Sequence, residues 1–570
     1  MTHLDNRTIA RHLRMMANLY EVANDHPMAR VYRDLASDVR TLPYALKDQL
    51  DQYQDRAKLP DDQFQSLFAL IHLGVKKAFQ TLPANVPSSL REVLALPGVG
   101  PDLTRTFYTK WSITNLSELK NAMENGTLQP SKGFTKRLFG MLEQEIPKLE
   151  RRMRLVPIAH GQSVAHGWQE HLLKIPGILR VEWTGELRRQ KALMESVELM
   201  VEASVNSWDE TIQELLKEGF QADLTSSTGK KSECFQGFSL MMDADDRSIP
   251  IRIYLANAKH FYPAWVYTSG DQSHATYIGA DHTDWIKELS HRYPRDIPDE
   301  EAVYQAKGVH FIIPTLREQD SLHQDSFSLV SYTALQGDLH MHTTYSDGAN
   351  SIEEMVRGCM ARGYQYMAIT DHSQAAKVAN GLSVERLKRQ HEEIEKIREK
   401  YPEISIFHGT EVDIMPDPTL DFDDDILSSL DLVVASIHTS FYLSKKEQTA
   451  RILAAIASPH VDIIGHPTGR MLGRRDGYTL DFEQIFAAAT ANRVALELNC
   501  NPSRLDLDPE ILRLALAAGC LFSIDSDAHS FHDLERIPAF GIGQAQQGWL
   551  PPDRVINTWS FEMLSAWLNQ

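Results

Sequence analysis

The 570-residue sequence predicts a multidomain α/β protein whose last part is a parallel β/α barrel. Three observations lead to this prediction. The first part of the chain has apolar residues at helical spacing, the middle mixes strand-like and helical runs, and the part from residue 336 alternates short β-rich runs with helical stretches. Alternation of the last kind is typical of a parallel sheet, and seven such units in 235 residues favour a closed or nearly closed barrel.

The front of the chain is expected to be helical. Segments 9–23 and 61–75 place apolar residues three and four apart, and short breaks containing Pro or Asn separate such segments. We place a helical domain at 1–82 and a second helical region at 83–154. In the second region, the run Pro-Gly-Val-Gly at 97–100 predicts a tight turn between two helices, because glycine tolerates backbone angles that other residues avoid.

The middle of the chain, residues 155–320, is expected to be an α+β domain. The runs ILRVEWTG, VELMVEAS and IPIRIYLA are rich in β-branched and apolar residues, whereas WDETIQELLKEG has helical spacing. Residues 321–335 are the best candidate for a linker. The seven predicted strands of the barrel then lie in GDLHM, YMAIT, ISIFHGT, LVVASIH, VDIIGH, VALELN and LFSID.

Composition narrows the classes of protein. No run of about 18 apolar residues is present, and the N-terminus lacks the apolar core of a signal peptide, so neither a membrane span nor secretion is expected. The four cysteines form no CxxC pair and are expected to be buried reduced thiols of a cytoplasmic protein. They are Cys234, Cys359, Cys500 and Cys520.

Charge is distributed unevenly along the chain, whose net charge is −19. Residues 1–155 hold 22 Lys and Arg against 17 Asp and Glu, a net charge of +5, and the remaining residues carry −24. A mildly basic front on an acidic rear permits binding of a nucleic-acid backbone at the front. Ordinary variation of surface charge explains the asymmetry equally well.

Metal-binding side chains stand at or just beyond the ends of the predicted barrel strands. In a parallel barrel the carboxyl ends of the strands meet at one mouth, so we expect these donors to lie together. Imidazole and carboxylate favour zinc, manganese or iron, and the number of donors exceeds the needs of one tetrahedral ion. Two or three clustered ions suit phosphoester hydrolysis. The donors are His340, His342, Asp347, His372, Glu411, His438, His466, Asp527 and His529.

The segment 336–560 resembles a PHP (polymerase and histidinol phosphatase) domain through the motifs GDLHMHTTYSDG, AITDHS, GTEVDI, ASIHTSF, GHPTGR, ELNCNPSRLD and SIDSDAH. We place this domain at 336–570, as a distorted barrel of seven β/α units. The resemblance implies a centre of three ions in which Glu411 bridges two. The implied ligands are His340, His342, Glu411 and Asp527 for the first ion, Glu411, His438 and His466 for the second, and Asp347, His372 and His529 for the third.

Two arginines beside these donors are candidate phosphate clamps. Arg470 lies in GHPTGR and Arg504 in NPSRLD, and a guanidinium fork matches the oxygens of a phosphate. A salt bridge on the barrel rim is the alternative role for each.

The front half resembles parts of a DNA polymerase. PGVGPDLTRTFY resembles the second hairpin of a helix-hairpin-helix motif, in which Gly98, Val99 and Gly100 would present backbone amides to a DNA phosphate. The order of helical domain, hairpin, GELRR segment and PHP-like segment is similar to that of the bacterial PolX family, which are family X DNA polymerases. The resemblance implies a nucleotidyltransferase-like palm at 155–320.

The departures from the family pattern fall on the polymerase site. The family has a Gly-Ser pair before Arg-Arg, but this chain has Glu186 in place of the serine. The Asp-x-Asp pair is replaced by Ser196 and Glu198, and the third aspartate by Pro250. One carboxylate cannot position two metal ions for nucleotidyl transfer, so the palm is expected to be inactive and to position DNA. The segment TLPYALKDQL also lacks the glycine turn of a first hairpin.

These expectations combine into one leading hypothesis. The chain is expected to be a PolX-like DNA repair protein that cleaves phosphodiester bonds of gapped or 3′-ended DNA with two to three Mn²⁺, Zn²⁺ or Fe²⁺ ions, as a 3′→5′ exonuclease, with 3′-end processing or abasic-site cleavage as related reactions. The alternatives are an active gap-filling polymerase, a non-catalytic DNA-binding scaffold, and a small-molecule phosphatase, which the attached polymerase-like half disfavours.

Overall fold

The computed structural model describes most of the chain, in the ranges 6–40, 42, 46–73, 75–79, 86–131, 133–222, 235–244, 247–280, 285–286, 297–322 and 328–569. Cys234, one of the predicted buried thiols, lies outside these ranges. The other three cysteines are buried free thiols, which confirms that prediction for Cys359, Cys500 and Cys520. No helix in the described ranges is long and apolar enough to cross a membrane.

The front of the chain is a set of packed helices. Each has one apolar stripe, because its apolar residues recur three and four apart. In the first helix, Ile9, Leu13 and Met16 are fully buried in a core that continues to Leu149 in the last. The helices are α1 (Asn6–Val22), α2 (His26–Arg40), α3 (Leu50–Ala57), α4 (Asp61–Phe68), α5 (Val75–Phe79), α6 (Leu90–Leu94), α7 (Pro101–Trp111), α8 (Leu116–Glu124) and α9 (Lys136–Arg154).

The turn between α6 and α7 has the backbone that its glycines permit. Gly98 has a φ of 74°, in the left-handed region where glycine is favoured. Gly98 and Gly100 are exposed, whereas the side chain of Val99 is buried. Pro101 then occupies the first turn of α7, where the missing N–H costs no helical hydrogen bond.

The middle of the chain folds around a five-stranded mixed sheet in the order β2-β4-β7-β6-β5, in which only the β4–β7 pair is parallel. Strands β1 and β3 form a separate antiparallel pair. The strands are β1 (Val156–Pro157), β2 (Ile178–Thr184), β3 (Leu193–Met194), β4 (Val197–Ala203), β5 (Gln221–Ala222), β6 (Phe235–Ala244) and β7 (Arg247–Ala256). The helices are α10 (Ile158–Leu172), α11 (Gly185–Arg188), α12 (Trp208–Lys217), α13 (Phe261–Ser269), α14 (Gln272–Tyr277) and α15 (Glu300–Lys307).

The rear of the chain is a parallel barrel whose strands follow one another in chain order, as the sequence predicts. The strands are buried on both faces, which is why most of them carry apolar runs without an alternating polar face. The strands are β8 (Gly337–Asp338), β9 (Tyr366–Ile369), β10 (Ser405–Asp413), β11 (Leu432–Ser436), β12 (Ile463–Ile464), β13 (Ala495–Asn499) and β14 (Phe522–Asp525). The helices are α16 (Ile352–Met360), α17 (Val384–Lys400), α18 (Asp424–Leu427), α19 (Lys445–Ala457), α20 (Phe482–Asn492), α21 (Pro509–Ala517), α22 (Ile542–Gln547) and α23 (Phe561–Leu568).

The first and last barrel strands come together just beyond their ends, so the barrel is nearly closed. Met341 and Ala528 form a parallel bridge, and the amide of Leu339 donates to Asp525 Oδ1 over 2.9 Å. The closure brings the chain segments that follow β8 and β14 side by side.

The barrel is packed against both other parts of the chain. Its Leu505 belongs to the apolar core of the middle region. The carbonyl of Gln190 accepts hydrogen bonds from Gln544 Nε2 (2.5 Å) and Gln547 Nε2 (3.1 Å). Gly543 completes this close contact, because a Cβ there would lie 1.8 Å from Gln190 Oε1.

Among the described residues, two ion pairs join the helical front to the barrel. Arg40, the last residue of α2, contacts Asp347 over 3.0 Å, and Arg152 of α9 contacts Asp476 over 3.3 Å. Neither contact could be predicted from a local pattern in the sequence.

Asp462, directly before β12, predicts a pH dependence of barrel stability. Its Oδ2 accepts from the amide of Val433 over 2.8 Å, and burial raises the pKa of its carboxyl to about 7. A folded-state pKa above the unfolded value means that stability falls as pH rises from about 4 to about 7. Asp462→Asn keeps an acceptor oxygen without the charge, so it should raise stability at pH 8 by about 1–2 kcal/mol and change little at pH 4.

Thermal unfolding of the parent and the variant at both pH values measures this difference. An equal melting temperature at pH 8 would contradict the prediction. Asp553→Asn, on the barrel surface and 80 % exposed, is the control for a general effect of removing a carboxylate.

Candidate metal centre

Seven of the nine predicted donors line one cavity at the carboxyl ends of the barrel strands. The other two are fully buried beside them, with His340 next to Glu411 and His342 next to Asp527. Parallel strands in sequential order bring their ends to the same mouth, so residues that are distant in the chain become neighbours. Two of the donors, His466 and Asp527, have left-handed backbones, with φ of 29° and 49°. Such a conformation is costly for a residue with a side chain and is tolerated where the surrounding structure fixes it.

Glu411 stands at the middle of the donors, and its two carboxylate oxygens face different imidazoles. Oε1 lies 2.9 Å from His466 Nε2 and 3.2 Å from His438 Nε2. Oε2 lies 2.8 Å from the Nδ1 of His372, and its distances to the Nε2 atoms of two further imidazoles are 3.5 Å for His340 and 3.7 Å for His342. A carboxylate placed in this way has the geometry to serve two ions at once.

Three sets of donors are compact enough to hold an ion, since the ligand atoms of each set lie within 4.8 Å of one another. They are His342, Asp347, His372 and His529; His340, His342 and Asp527; and His372, Glu411 and His438. The sets differ from those that the family resemblance implies, because His342 and His372 each lie between two sets. His466 adjoins Glu411 but falls outside the three sets.

The cluster buries nitrogen atoms that need a partner. His340 and His342 are fully buried, and His438 is partly buried. Within the described part of the chain, the Nε2 atoms of these three histidines lie 3.2–3.5 Å from carboxylate oxygens but form no hydrogen bond of good geometry. A buried polar atom left in this state costs about 1–3 kcal/mol, whereas a metal ion would use its lone pair. The residues present therefore fit divalent ions.

Carboxylates behind the donors hold the imidazoles in place. Glu497 Oε1 lies 2.7 Å from His340 Nδ1, and Asp413 Oδ1 lies 3.1 Å from His438 Nδ1. Such partners fix the ring orientation and leave Nε2 for a metal. Neither carboxylate was predicted to have this role, although Asp413 ends β10 and Glu497 lies in β13, so both belong to strands of the barrel.

The electrostatics of the centre are those of an anion among imidazoles. Burial raises the pKa of Glu411, but His438, His372 and His340 outweigh burial and hold that pKa well below its ordinary value. Burial lowers the pKa of His438, but Glu411 and Asp413 outweigh burial and raise it to about 10. Without metal ions, protons supply the positive charge that Glu411 attracts.

The cavity above the donors has a volume of about 390 Å³ and a cationic rim. Its lining includes Lys377, Arg474, Arg504 and Arg536 of the barrel. Arg40, from the helical front, also lines it. Arg504 was predicted, whereas Arg40, Lys377 and Arg474 were missed, because no motif surrounds them and Arg40 is distant in sequence.

Arg470, predicted as a phosphate clamp, does not reach this cavity. Its Nε donates to the carbonyl of Arg504 over 2.9 Å, its Nη2 donates to the carbonyl of Leu505, and its Nη1 pairs with Asp508 over 3.2 Å. The guanidinium therefore braces the loop that carries Arg504. Its pair with Asp508 is the salt bridge that was the alternative role for this arginine.

The polymerase-like positions come together in the middle region. Glu198 lies in β4, where Ser196 Oγ donates to its Oε1 over 2.7 Å, and it pairs in register with Arg252 of β7. Pro250 precedes Arg252 by two residues in the same strand, and Glu186 Oε2 accepts from the amide of Glu195 over 2.6 Å. Burial raises the pKa of Glu198.

Comparisons with known proteins agree with the site. Residues 338–501 match the PHP domain family. The chain is 31 % identical to the DNA polymerase/3′-5′ exonuclease PolX of Bacillus subtilis (strain 168), over 100 % of both chains. It is 30 % identical to a probable phosphatase of Thermoanaerobacter sp. (strain X514), over 39 % of this chain and 89 % of the relative. The solved histidinol phosphate phosphatase of Lactococcus lactis is 18 % identical with a TM-score of 0.29, over 37 % of this chain and 93 % of that one.

A nearly closed parallel barrel of PHP type, with imidazole and carboxylate donors at its mouth, defines a metal-dependent hydrolase. Within that class, the similarity to the PolX protein of Bacillus subtilis covers the whole of this sequence and the whole of that relative. The chain belongs to the PolX family.

Metal binding should release protons from the centre. The pKa of His438, about 10, means that its imidazole is protonated at neutral pH in the metal-free protein, and a coordinating imidazole has to be neutral. Affinity for Mn²⁺ should therefore rise about tenfold per pH unit for each proton released. Calorimetric titration with manganese chloride at pH 7, in two buffers of different ionisation enthalpy, counts those protons, and identical apparent enthalpies would contradict the prediction.

Proposed function

We propose that the chain is a PolX-like DNA repair protein whose barrel hydrolyses phosphodiester bonds at the 3′ ends of DNA. The observation that carries the proposal is the convergence of nine metal donors, with Glu411 at their middle. The relative from Bacillus subtilis, named a DNA polymerase/3′-5′ exonuclease, supports DNA as the substrate. Processing of blocked 3′ ends and cleavage at abasic sites are phosphoester reactions within the chemistry of the same centre.

Two to three divalent ions, Mn²⁺, Zn²⁺ or Fe²⁺, are proposed to occupy the centre. Asp527 Oδ1 lies 3.4 Å from His342 Nε2, which supports a first site with His340 and Glu411. Glu411, His438 and His466 are proposed for the second site, and Asp347, His372 and His529 for the third. When bound, such ions lower the pKa of a water molecule and neutralise phosphate charge.

The chain's own side chains would position the substrate at that centre. Arg504 lines the cavity with its Nε 3.7 Å from Asp527 Oδ2, so its guanidinium can contact a phosphate oxygen beside the donors. Lys377 and Arg474 extend the positive rim outward, where the preceding phosphates of a strand would pass. Asp413 and Glu497 keep the imidazoles oriented while the substrate exchanges.

The helical front is proposed to hold the DNA. The exposed Gly98 and Gly100 precede α7, whose N-terminal amides favour an anion such as a backbone phosphate. The net charge of +5 over residues 1–155 supports the same role. The buried side chain of Val99 holds the turn against the helical core.

The palm-like middle region is proposed to be inactive in nucleotidyl transfer. The chemistry needs two cations held by several carboxylates. Glu198 is hydrogen bonded to Ser196 and lies 3.7 Å from Arg252, and Pro250 offers no side-chain oxygen. The backbone of Gly185 lies close against the same carboxylate. A Cβ at this position would lie 2.2 Å from Glu198 Oε2.

A gap-filling polymerase is the second candidate function. The name of the Bacillus subtilis relative favours it, as does the presence of Arg188 and Arg189 after Glu186. In this structure, however, Arg188 forms a bidentate pair with Glu300 (2.7 and 2.5 Å) and Arg189 pairs with Glu318 over 3.0 Å. Both guanidinium groups are therefore engaged within the protein.

His438→Ala should abolish most 3′→5′ degradation of a labelled primer–template. Loss of a donor that lies 3.2 Å from Glu411 removes one ligand of the second site. A loss of about 3 kcal/mol of transition-state stabilisation corresponds to a rate reduced by about a hundredfold. His460→Ala, directly before β12 at the opposite end of the barrel, is the matched control and should degrade DNA at the parent rate. Degradation by His438→Ala at that same rate would refute the assignment.

The intact protein should not extend a primer across a gap. Synthesis is measured in a variant with His340, His342 and Asp527 all changed to Ala, so that degradation cannot mask it. Glu198 is the only carboxylate at the three positions where the family has aspartates. We therefore expect extension to be at least about a thousandfold slower than in an active polymerase, which corresponds to a barrier raised by roughly 4 kcal/mol. Clear extension by this variant in Mg²⁺ or Mn²⁺ would establish the gap-filling function instead.

A further inference from the structure

One wall of the hydrolase cavity comes from the helical front. Thr8 of α1 and Arg40 of α2 line it together with the metal donors of the barrel. Arg40 Nη2 donates to Asp347 Oδ2 over 3.0 Å across 307 residues of sequence. Both side chains are largely buried, with 22 % of Arg40 and 9 % of Asp347 exposed. The contact is therefore shielded from solvent, unlike the usual weak surface ion pair.

The two oxygens of Asp347 face opposite ways. Oδ2 meets Arg40, whereas Oδ1 lies 3.2 Å from His529 Nε2 and 3.5 Å from His372 Nε2. Arg40 thus contacts the outer oxygen and leaves the inner oxygen directed at the other donors of its set. It does not occupy the position of an ion.

The support of Asp347 differs from that of the other donors. The groups that orient His340 and His438 are Glu497 and Asp413, which belong to barrel strands. Asp347 stands in the loop between β8 and α16, and its carboxylate is held by a residue outside the barrel. A partner that orients a metal ligand typically changes metal affinity by about 10–100-fold.

We propose that Arg40 is a positioning residue of the hydrolase centre and makes cation binding by Asp347, His372 and His529 depend on the docked helical front. The inference rests on the proposed metal-dependent function. Glu411 and Asp527 already supply anionic charge to the neighbouring donor sets. What Arg40 adds is therefore the orientation of Asp347 Oδ1 toward His372 and His529. The region proposed to hold DNA would then also complete the centre that cuts it.

The test compares full-length Arg40→Gln and Arg40→Lys with the parent in titrations with manganese chloride alone. Arg40→Gln should weaken the most weakly bound Mn²⁺ by about tenfold or more, and the lysine, which keeps a cationic donor, should recover part of that loss. Arg30→Gln is the matched control, because Arg30 lies on the same helix, is 85 % exposed and pairs with Asp34. It should bind Mn²⁺ as the parent does.

A second measurement separates positioning from general damage. In an Asp347→Ala background, Arg40→Gln should cause no further loss of Mn²⁺ affinity, because the contact is already absent. For DNA hydrolysis at limiting Mn²⁺, Arg40→Gln should lower kcat with little change in KM, and saturating Mn²⁺ should restore most of kcat.

Each outcome decides the matter. Parent-like Mn²⁺ affinity in Arg40→Gln, tighter binding in that variant, or an additive loss in the Asp347→Ala background would overturn the role of Arg40 while leaving the proposed hydrolase intact. A parent protein that binds no Mn²⁺ would instead refute the proposed function itself. If Arg40→Gln fails to fold, the comparison of Arg40→Lys with Arg30→Gln gives the same decision, since a lysine without any deficit would overturn the proposal.

Discussion

The carboxylate of Glu411 is the group around which the rear half of the molecule is organised. A buried anion is costly unless positive partners surround it, and here the partners come from the ends of different strands. The sequential order of the parallel strands is what allows five imidazoles to approach one side chain within 3.7 Å. The nearly closed barrel and the chemistry of its mouth are therefore two aspects of one arrangement, because a slip of any strand would move a ligand away from this anion.

In the middle region, by contrast, the charged groups pair with one another inside the protein. Arg188 stacks on Trp265 and pairs with Glu300, which also accepts from the buried Arg317 over 2.9 Å. Burial raises the pKa of the Glu300 carboxyl, but the contacts with Arg188 and Arg317 outweigh burial and hold that pKa below its ordinary value. Every charge in this network is matched inside the protein, so the region has the character of a rigid support. The middle region also packs tightly on the barrel, because the absence of a side chain at Gly543 leaves room for Gln190.

The barrel, and the convergence of imidazoles and carboxylates at its mouth, could be predicted because both follow from local properties of the chain. Most strands contain a short apolar run, and each donor lies in a strand or in the segment that follows it. The sequence could not assign the outer carboxylates Asp413 and Glu497 their roles, since a supporting group and a ligand have the same composition. The sequence also could not show that Arg470 braces the loop while Arg504 lines the cavity. This difference depends on which guanidinium donates to the carbonyl of Leu505. The contact of Arg40 with Asp347 depends on docking between distant segments and leaves no local pattern.

The order of the donors along the chain has a consequence for the newly made protein. The first donor is residue 340, just after β8, and the last is residue 529, just after β14, the strand that closes the barrel. A ribosome that adds about 5–20 residues per second takes roughly ten seconds or more to cover that interval. The helical front and the middle sheet have left the ribosome before the last ligand exists. The metal centre therefore cannot form until synthesis has passed residue 529. By then the helical front and the middle region have already been synthesised.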